Sequence, residues 1–152
     1  MQTVNGIGDG FDSYWRMMLD TPGRIALAVI EKDSGRIVGT SSFFQIDSAH
    51  RTLEIGFTFY RPECRGTNVN PESKLLMLKE AFGAGALRVQ FSVNATNKRS
   101  QAAVLKLGAQ KEGVIRNHRI TWTGERRHTV LFSIIEEEWD AVRAGLEDRL
   151  RG

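Results

Sequence analysis

Between Leu53 and Val93 the hydrophobic period of the chain changes twice, and no other stretch limits the fold as much. Leu53-Glu54-Ile55-Gly56-Phe57-Thr58-Phe59-Tyr60 is dense in β-branched and aromatic residues and predicts a strand. From Pro71 to about Gly83, Leu75, Leu76, Leu78, Ala81 and Phe82 recur at helical spacing, and Gly83-Ala84-Gly85 ends the run. Leu87 to Val93 is extended again. A strand, a helix and a strand in that order predict a parallel pair joined by a right-handed crossover.

The flanks add antiparallel strands. Upstream, Ile25 to Glu31 and Arg36 to Phe44 form a hairpin across Lys32-Asp33-Ser34-Gly35, and a polar stretch from Asp47 to Arg51 leads into the Leu53 strand. Downstream, Lys98 to Leu107 is a helix closed by Gly108. Val114 to Trp122 and His128 to Ile135 make a second hairpin across Thr123-Gly124-Glu125, and a charged helix runs from about Glu137 to Leu150. The sum is an α+β (α/β) fold: a mixed, mostly antiparallel sheet flanked by helices, with one parallel strand-helix-strand crossover. At the start, Gly6, Gly8 and Gly10 punctuate a flexible loop. No strand precedes them, so a phosphate loop is not the reading there. A short helix capped by Asp12 runs to about Leu19 and stops at Pro22-Gly23.

Composition narrows the function classes. The 152 residues suit one domain over 1–152, without repeats, low-complexity tracts or linkers. At 41% hydrophobic and 26% charged, neither disorder nor a fibre competes. No apolar run approaches the roughly 20 residues that cross a bilayer, and Met1 to Asp12 lacks a basic head and an apolar stretch, which predicts a cytoplasmic protein without membrane contact. Cys64 is the only cysteine, so an intramolecular disulfide and a multi-cysteine metal site are excluded. His50, His118 and His128 lack metal-ligand spacing, and no metal is expected. The formal charge of +3, from 21 basic and 18 acidic residues, mildly favours a phosphorylated ligand. Without a basic stripe interleaved with aromatics, it does not predict a nucleic-acid partner.

The turn Arg61-Pro62-Glu63-Cys64-Arg65-Gly66-Thr67-Asn68-Val69-Asn70-Pro71-Glu72 leaves a strand and enters a helix. With Asn70 as cap and Pro71 in the first turn, the amides of Arg65 to Asn70 and the helix dipole can face a phosphate, and Arg65 adds a mobile positive charge. Locally, the same residues also describe a capped helix start with a surface arginine. A second segment supplies context: Asn94-Ala95-Thr96-Asn97-Lys98-Arg99-Ser100, followed by Ala103, Val104, Leu107, Gly108 and Ala109.

Strand, Arg-x-x-Asn-x-Asn turn, helix, strand, then Asn-x-x-Ser and a Leu-Gly-Ala helix end resemble the GNAT superfamily of N-acetyltransferases over roughly Ile25 to Ile135, and within it the RimJ/RimL-like branch. The resemblance implies acetyl-CoA as cofactor, carried in a V-shaped opening between two parallel strands, and an amine acceptor, either a peptide N-terminus or a small molecule. It maps Arg65, Gly66, Thr67, Asn68, Val69 and Asn70 onto the pyrophosphate loop, with Asn68 and Asn70 where glycines usually stand. Asparagine tolerates left-handed backbone better than other non-glycine residues, although its side chain would crowd the phosphates. Thr58, Phe59 and Tyr60 would give backbone groups to the pantetheine, an amide near Phe59 would polarise the thioester carbonyl, and Asn97 would hold the arm from the other side. Lys106 is either a phosphate contact or a solvated residue.

Direct acyl transfer needs a neutral amine, a polarised carbonyl and a proton for the departing thiolate. Glu54, four residues before Thr58, is the candidate to take the amine proton, against the alternative of an exposed strand carboxylate. The tyrosine that many family members use as donor is replaced here by Val104, and the branch's spacing nominates Ser100, which is equally describable as a helix N-terminal serine. Cys64 has no adjacent histidine and is expected to be inert. Trp15, Trp122 and Trp139 are core or interface residues, and Trp122 also lies on the hairpin where acceptors bind in the superfamily. Glu136-Glu137-Glu138 with Arg143, Arg149 and Arg151 is a solvated helix face. The 24 residues before Ile25 are fewer than the family's usual opening strand and two helices, which predicts an exposed sheet edge covered by a second subunit in a dimer. The competing class is a non-catalytic acyl-CoA-binding or assembly protein, motivated by Val104, the two loop asparagines and that short opening.

Overall fold

A computed structural model describes residue 16 and residues 19–152. Gly6, Gly8, Gly10, Trp15 and nearly all of the helix expected from Asp12 lie outside the described residues. The elements are β1 (Ile25–Ile30), β2 (Ile37–Asp47), β3 (Thr52–Tyr60), α1 (Val69–Gly83), β4 (Arg88–Asn94), α2 (Lys98–Lys106), β5 (Gln110–Ile120), β6 (Arg126–Ile135) and α3 (Glu136–Arg151). Among the described residues six strands form one sheet in the order β1-β2-β3-β4-β6-β5. Only β3 and β4 are parallel, joined through α1 as the change of period predicts.

Strand alternation divides the sheet into two unlike faces. Phe43, Ile55, Val89, Phe91, Val93, Val130, Phe132 and Ile134 form one apolar layer with Leu75, Met77, Leu78 and Ala81 of α1 and Val142 and Leu146 of α3. Lys79 Nζ is 2.8 Å from Glu147 Oε1 between those helices. Phe82 stacks on Trp139 with ring centroids 5.0 Å apart. Gly108 closes α2 at φ +100, and a Cβ there would lie 3.0 Å from Val142 Cγ2, so glycine suits both the turn and the helix packed over it. The opposite face carries Glu54, Gln90 and Ser133, adjacent across three strands.

The structure corrects several boundaries. Leu76, expected in the apolar stripe of α1, is 62% exposed, because the buried stripe passes through Leu75, Met77 and Leu78 instead. Strand β5 begins four residues before the expected Val114. It is an edge strand, exposed at nearly every position and bulged between Lys111 and Gly113 and between Ile115 and Arg119, so burial never imposes alternation on its sequence. No helix among the described residues is long and apolar enough to cross a membrane.

Candidate functional site

The parallel pair is joined for only three residues. Thr52, Leu53 and Glu54 register with Arg88, Val89 and Gln90, after which β3 continues to Tyr60 and β4 to Asn94 without pairing to each other. The other edge of β3 stays on β2 through Gly39 and Tyr60. Inside that ladder the register slips between the Thr40/Phe59 and Ser42/Gly56 pairs, and Phe57 takes φ 51, an uncommon conformation for an aromatic residue. Its ring is held edge-on to Phe44 at 4.9 Å and under the Arg24 guanidinium at 3.6 Å. A strand edge lacking its protein neighbour therefore lines a wedge whose closed end is Glu54 and Gln90, and a bulge re-aims the backbone midway along it.

The loop after β3 leads into an uncapped helix. Pro62–Cys64 is one 3₁₀ turn that buries Cys64, and Gly66 sits at φ +77 with open space where a Cβ would be. Thr67 Oγ1 donates to the Cys64 carbonyl at 2.7 Å and accepts from the Val69 amide at 3.3 Å. Helix α1 begins at Val69, two residues before the expected Pro71, so the cap moves from the expected Asn70 to Asn68. Asn68 is the cap residue, already near helical dihedrals at φ −73 and ψ −8 and making no side-chain cap bond, while Pro71 stays in the first turn. Neither Asn68 nor Asn70 takes positive φ, so the left-handed tolerance expected of them is not needed; Gly66 supplies the turn. Glu72 N is the first amide to bond back, to Asn68 O at 2.9 Å. The amides of Gly66, Thr67, Asn68 and Asn70 find no acceptor among the described residues. Free amides at the positive end of a 15-residue helix suit an anion. Arg65 is exposed beside them, its guanidinium carbon 5.8 Å from the centroid of the half-exposed Phe59 ring.

Behind this loop the structure places a residue that sequence reasoning misses. Lys74 is buried in α1, with Nζ 2.7 Å from Thr58 Oγ1 and 2.9 Å from Ser41 Oγ, and those two hydroxyls are 2.8 Å apart. No carboxylate among the described residues lies within 4.0 Å of it. Burial pulls its pKa down to about 7. Next to it, Tyr60 Oη is 2.5 Å from Ser73 Oγ, which donates to the Asn70 carbonyl at 3.0 Å, and burial pushes the phenol up to about 12. The sequence holds one signal: Lys74 lies three residues after Pro71 and four before Leu78, on the helix's buried stripe.

Asn97 and Ser100 lie beyond the end of β4, across the wedge from the loop. Asn97 caps α2 through Oδ1, which accepts the Ser100 amide at 3.1 Å, and Gln101 Nε2 donates to the Asn94 and Ala95 carbonyls at 3.2 and 2.9 Å. Ser100 is half-buried in the first turn, and its hydroxyl makes no hydrogen bond among the described residues. Val104 packs against the core, and Lys106 is exposed at the far end of α2.

Glu54 is not an exposed strand carboxylate. It is 5% exposed, with Oε2 accepting from Gln90 Nε2 at 3.1 Å, beside a cavity of about 60 Å³ lined by Gln45, Thr52, Leu53, Glu54, Arg88 and Gln90. That space suits water. Gln90 belongs to a relay. Arg88 Nη2 donates to Gln90 Oε1 at 2.9 Å, both Arg88 Nη atoms donate to Glu112 at 2.6 Å, and Ser133 Oγ donates to Glu112 at 2.7 Å. Hydrogen bonds to Glu112 hold the Arg88 pKa above its ordinary value, and Glu112 is correspondingly lowered, chiefly by Arg88. Farther along the same face Arg127 Nε donates to Thr129 Oγ1 at 3.2 Å and registers opposite Arg119. Burial and Arg119 lower the Arg127 pKa, and the charge of Glu54 opposes them. Trp122 is 62% exposed just beyond β5. Among the described residues no group of three or more His, Cys, Asp or Glu could hold a metal.

The comparisons match this geometry. The family model for the acetyltransferase (GNAT) domain aligns with residues 2–110. An acetyltransferase-like protein from T. thermophilus superposes with a TM-score of 0.87 at 36% identity, over 93% of this chain and 74% of that one. A GCN5-related N-acetyltransferase from Brucella melitensis gives 0.86 at 26% identity, over 91% and 63%. The N-acetyltransferase YoaA of Bacillus subtilis (strain 168), whose activity is uncharacterised, is 29% identical over 113 residues; the match spans 74% of this chain and 63% of that relative. With a splayed parallel pair, an uncapped helix start at its mouth and a family match over most of its length, this chain belongs to the GNAT acetyltransferase family.

Proposed function

We propose that the chain is an acyl-CoA-dependent N-acyltransferase of the RimJ/RimL-like branch that moves an acetyl group from acetyl-CoA directly to a primary amine, on a peptide N-terminus or a small molecule. The observation that carries this reading is the loss of β3/β4 pairing after Glu54 and Gln90, with four free amides of the α1 start at the open end. An extended pantetheine fits the vacant strand edge of Thr58, Phe59 and Tyr60, as in β-augmentation, and a pyrophosphate fits the amides of Gly66, Thr67, Asn68 and Asn70 beside Arg65. When bound, acetyl-CoA supplies the activated acyl group. Glu54 takes the amine proton through water in the adjoining cavity, with Gln90 fixing the carboxylate. The bulged backbone around Phe57 to Phe59 polarises the carbonyl, Asn97 steadies the α2 side of the wedge, and the Ser100 hydroxyl gives a proton to the thiolate. Arg88, Arg119 and Arg127 on the Glu54 face favour an amine that also carries a carboxylate over a polyamine. The reading extends to a cytoplasmic protein and a dimer.

Acetyl-CoA should raise the melting temperature, and thiol release should require an added amine. Glu54→Gln should lower turnover at neutral pH more than it weakens acetyl-CoA binding, with the deficit shrinking as rising pH leaves more amine neutral. No thermal shift at millimolar acetyl-CoA would sink the cofactor reading; binding without amine-dependent thiol release would favour the non-catalytic class.

A further inference from the structure

An amine buried among hydroxyls, with no carboxylate to neutralise it, is costly to keep charged. Among the described residues Lys74 is in that position, and its partners suit both of its protonation states. An ammonium donates to Ser41 Oγ and Thr58 Oγ1; a neutral amine accepts from one of those hydroxyls while donating to the other, because a hydroxyl can do either. A carboxylate in their place would lock the charged form. The triangle also lies where cofactor charge would be felt. Thr58 is on the part of β3 that has lost β4, and Lys74 is one helical turn past the free amide of Asn70.

We propose that Lys74 is a positioning residue of the cofactor channel: its amine takes up a proton when acyl-CoA occupies the wedge, and the ammonium then holds Thr58 and Ser41 rigid behind the bound phosphates and pantetheine. This rests on the reading that the wedge takes acyl-CoA. A ligand with several negative charges at the α1 start favours the protonated form, and by linkage the protonated form binds that ligand more tightly. The groups facing Lys74 do not compete for the proton. From β2 comes Ser41; from β3 come Thr58 and Tyr60, whose ring centroid is 5.9 Å away and whose phenol stays neutral with its pKa near 12. Glu72 on α1 is exposed, Lys79 is paired with Glu147 of α3, and Arg65 lies against Phe59. Burial brings the amine to about 7, so it is mostly neutral at pH 8 before ligand arrives.

Titration calorimetry of acetyl-CoA at pH 8, in buffers of different ionisation enthalpy, reads the proton directly. At that pH a phosphate, with its second pKa of ~6, is fully ionised and contributes none. The wild-type protein should take up a substantial fraction of a proton per acetyl-CoA, and Lys74→Met should bind more weakly and take up none. Because the variant can fail to fold, lysine-labelled wild-type protein gives a second readout: one of its side-chain amine signals should shift from the neutral to the charged position when acetyl-CoA is added. Binding with no proton uptake and no shifted signal, or with equal uptake in Lys74→Met, overturns the proposal and leaves the cofactor reading standing. No binding at all overturns both.

Discussion

The two helix starts that flank the wedge are built from similar residues and end up opposite in character. Helix α2 begins after Asn97, whose side chain turns back to accept the Ser100 amide at 3.1 Å, so its first turn is closed on itself. Helix α1 begins after Asn68, whose side chain makes no such bond, and Thr67 satisfies only the Val69 amide. The difference lies in the backbone. Asn97 has extended-side dihedrals, φ −87 and ψ 75, which bring its side chain over the turn, whereas Asn68 at φ −73 and ψ −8 is already helical. An asparagine ahead of a helix is therefore no cap by itself. Where the backbone withholds the side chain, the helix offers its amides to a ligand instead.

The largest effect should come from placing a charge at the open start. Asn68→Asp puts a carboxylate where we place the pyrophosphate. Acetyl-CoA affinity should fall by roughly 10- to 100-fold, while the free protein gains about 0.3–1 kcal/mol from the dipole. Calorimetry and thermal melts measure the two, and unchanged affinity would close the comparison by removing the anion site from α1.

A buried charge further separates the two helices, because α1 carries Lys74 while α2 buries no residue fully. The unfolded chain holds the Lys74 proton up to about 10.5, whereas the folded chain releases it at about 7. Between those values the unfolded state binds more protons, so stability should rise with pH from about 7 toward 10, on the order of a few kcal/mol. Above pH 10 the sign reverses, because Tyr60 ionises in the unfolded chain but keeps its proton when folded up to about 12. Denaturant melts of Lys74→Met should be nearly flat over the lower window; a slope equal to wild type would assign the pH dependence elsewhere.

The smallest effect belongs to the closed start. Asn97→Ala should cost about 1 kcal/mol of stability through lost capping. Its acetyl-CoA affinity should change by less than that of Asn68→Asp. A larger loss of binding than of stability would mean that Asn97 acts on the ligand beyond its cap.

Much of this is legible in the residues alone. The crossover from Leu53 to Val93 is strand, helix and strand as its periods require, and the second hairpin and final helix lie where turn residues and charge place them. The edge strand β5 reads short because solvent on nearly all sides leaves no alternation in its residues. The offset from Thr58 nominates Glu54, yet the burial of that carboxylate is invisible locally. It arises from Gln90, distant in sequence and adjacent only through the three-residue parallel pairing. Lys74 escapes a sequence reading because a lysine on a helix is ordinarily solvated, and only the sheet beneath α1 encloses it.

By itself the sequence determined the order of elements, the parallel crossover, and the two segments, Arg65 to Asn70 and Asn94 to Ser100, at the helix starts on either side of the wedge. These follow from periods of 2 and 3.6 residues and from turn chemistry, which are properties of neighbouring residues. Tertiary structure alone decided where β3 and β4 part, which helix start stays open, that Glu54 is sheltered, and that Lys74 meets Ser41 and Thr58 without a counter-charge among the described residues. Each of these depends on groups from separate elements sharing one low-dielectric space, and only the packed sheet and its helices create that space.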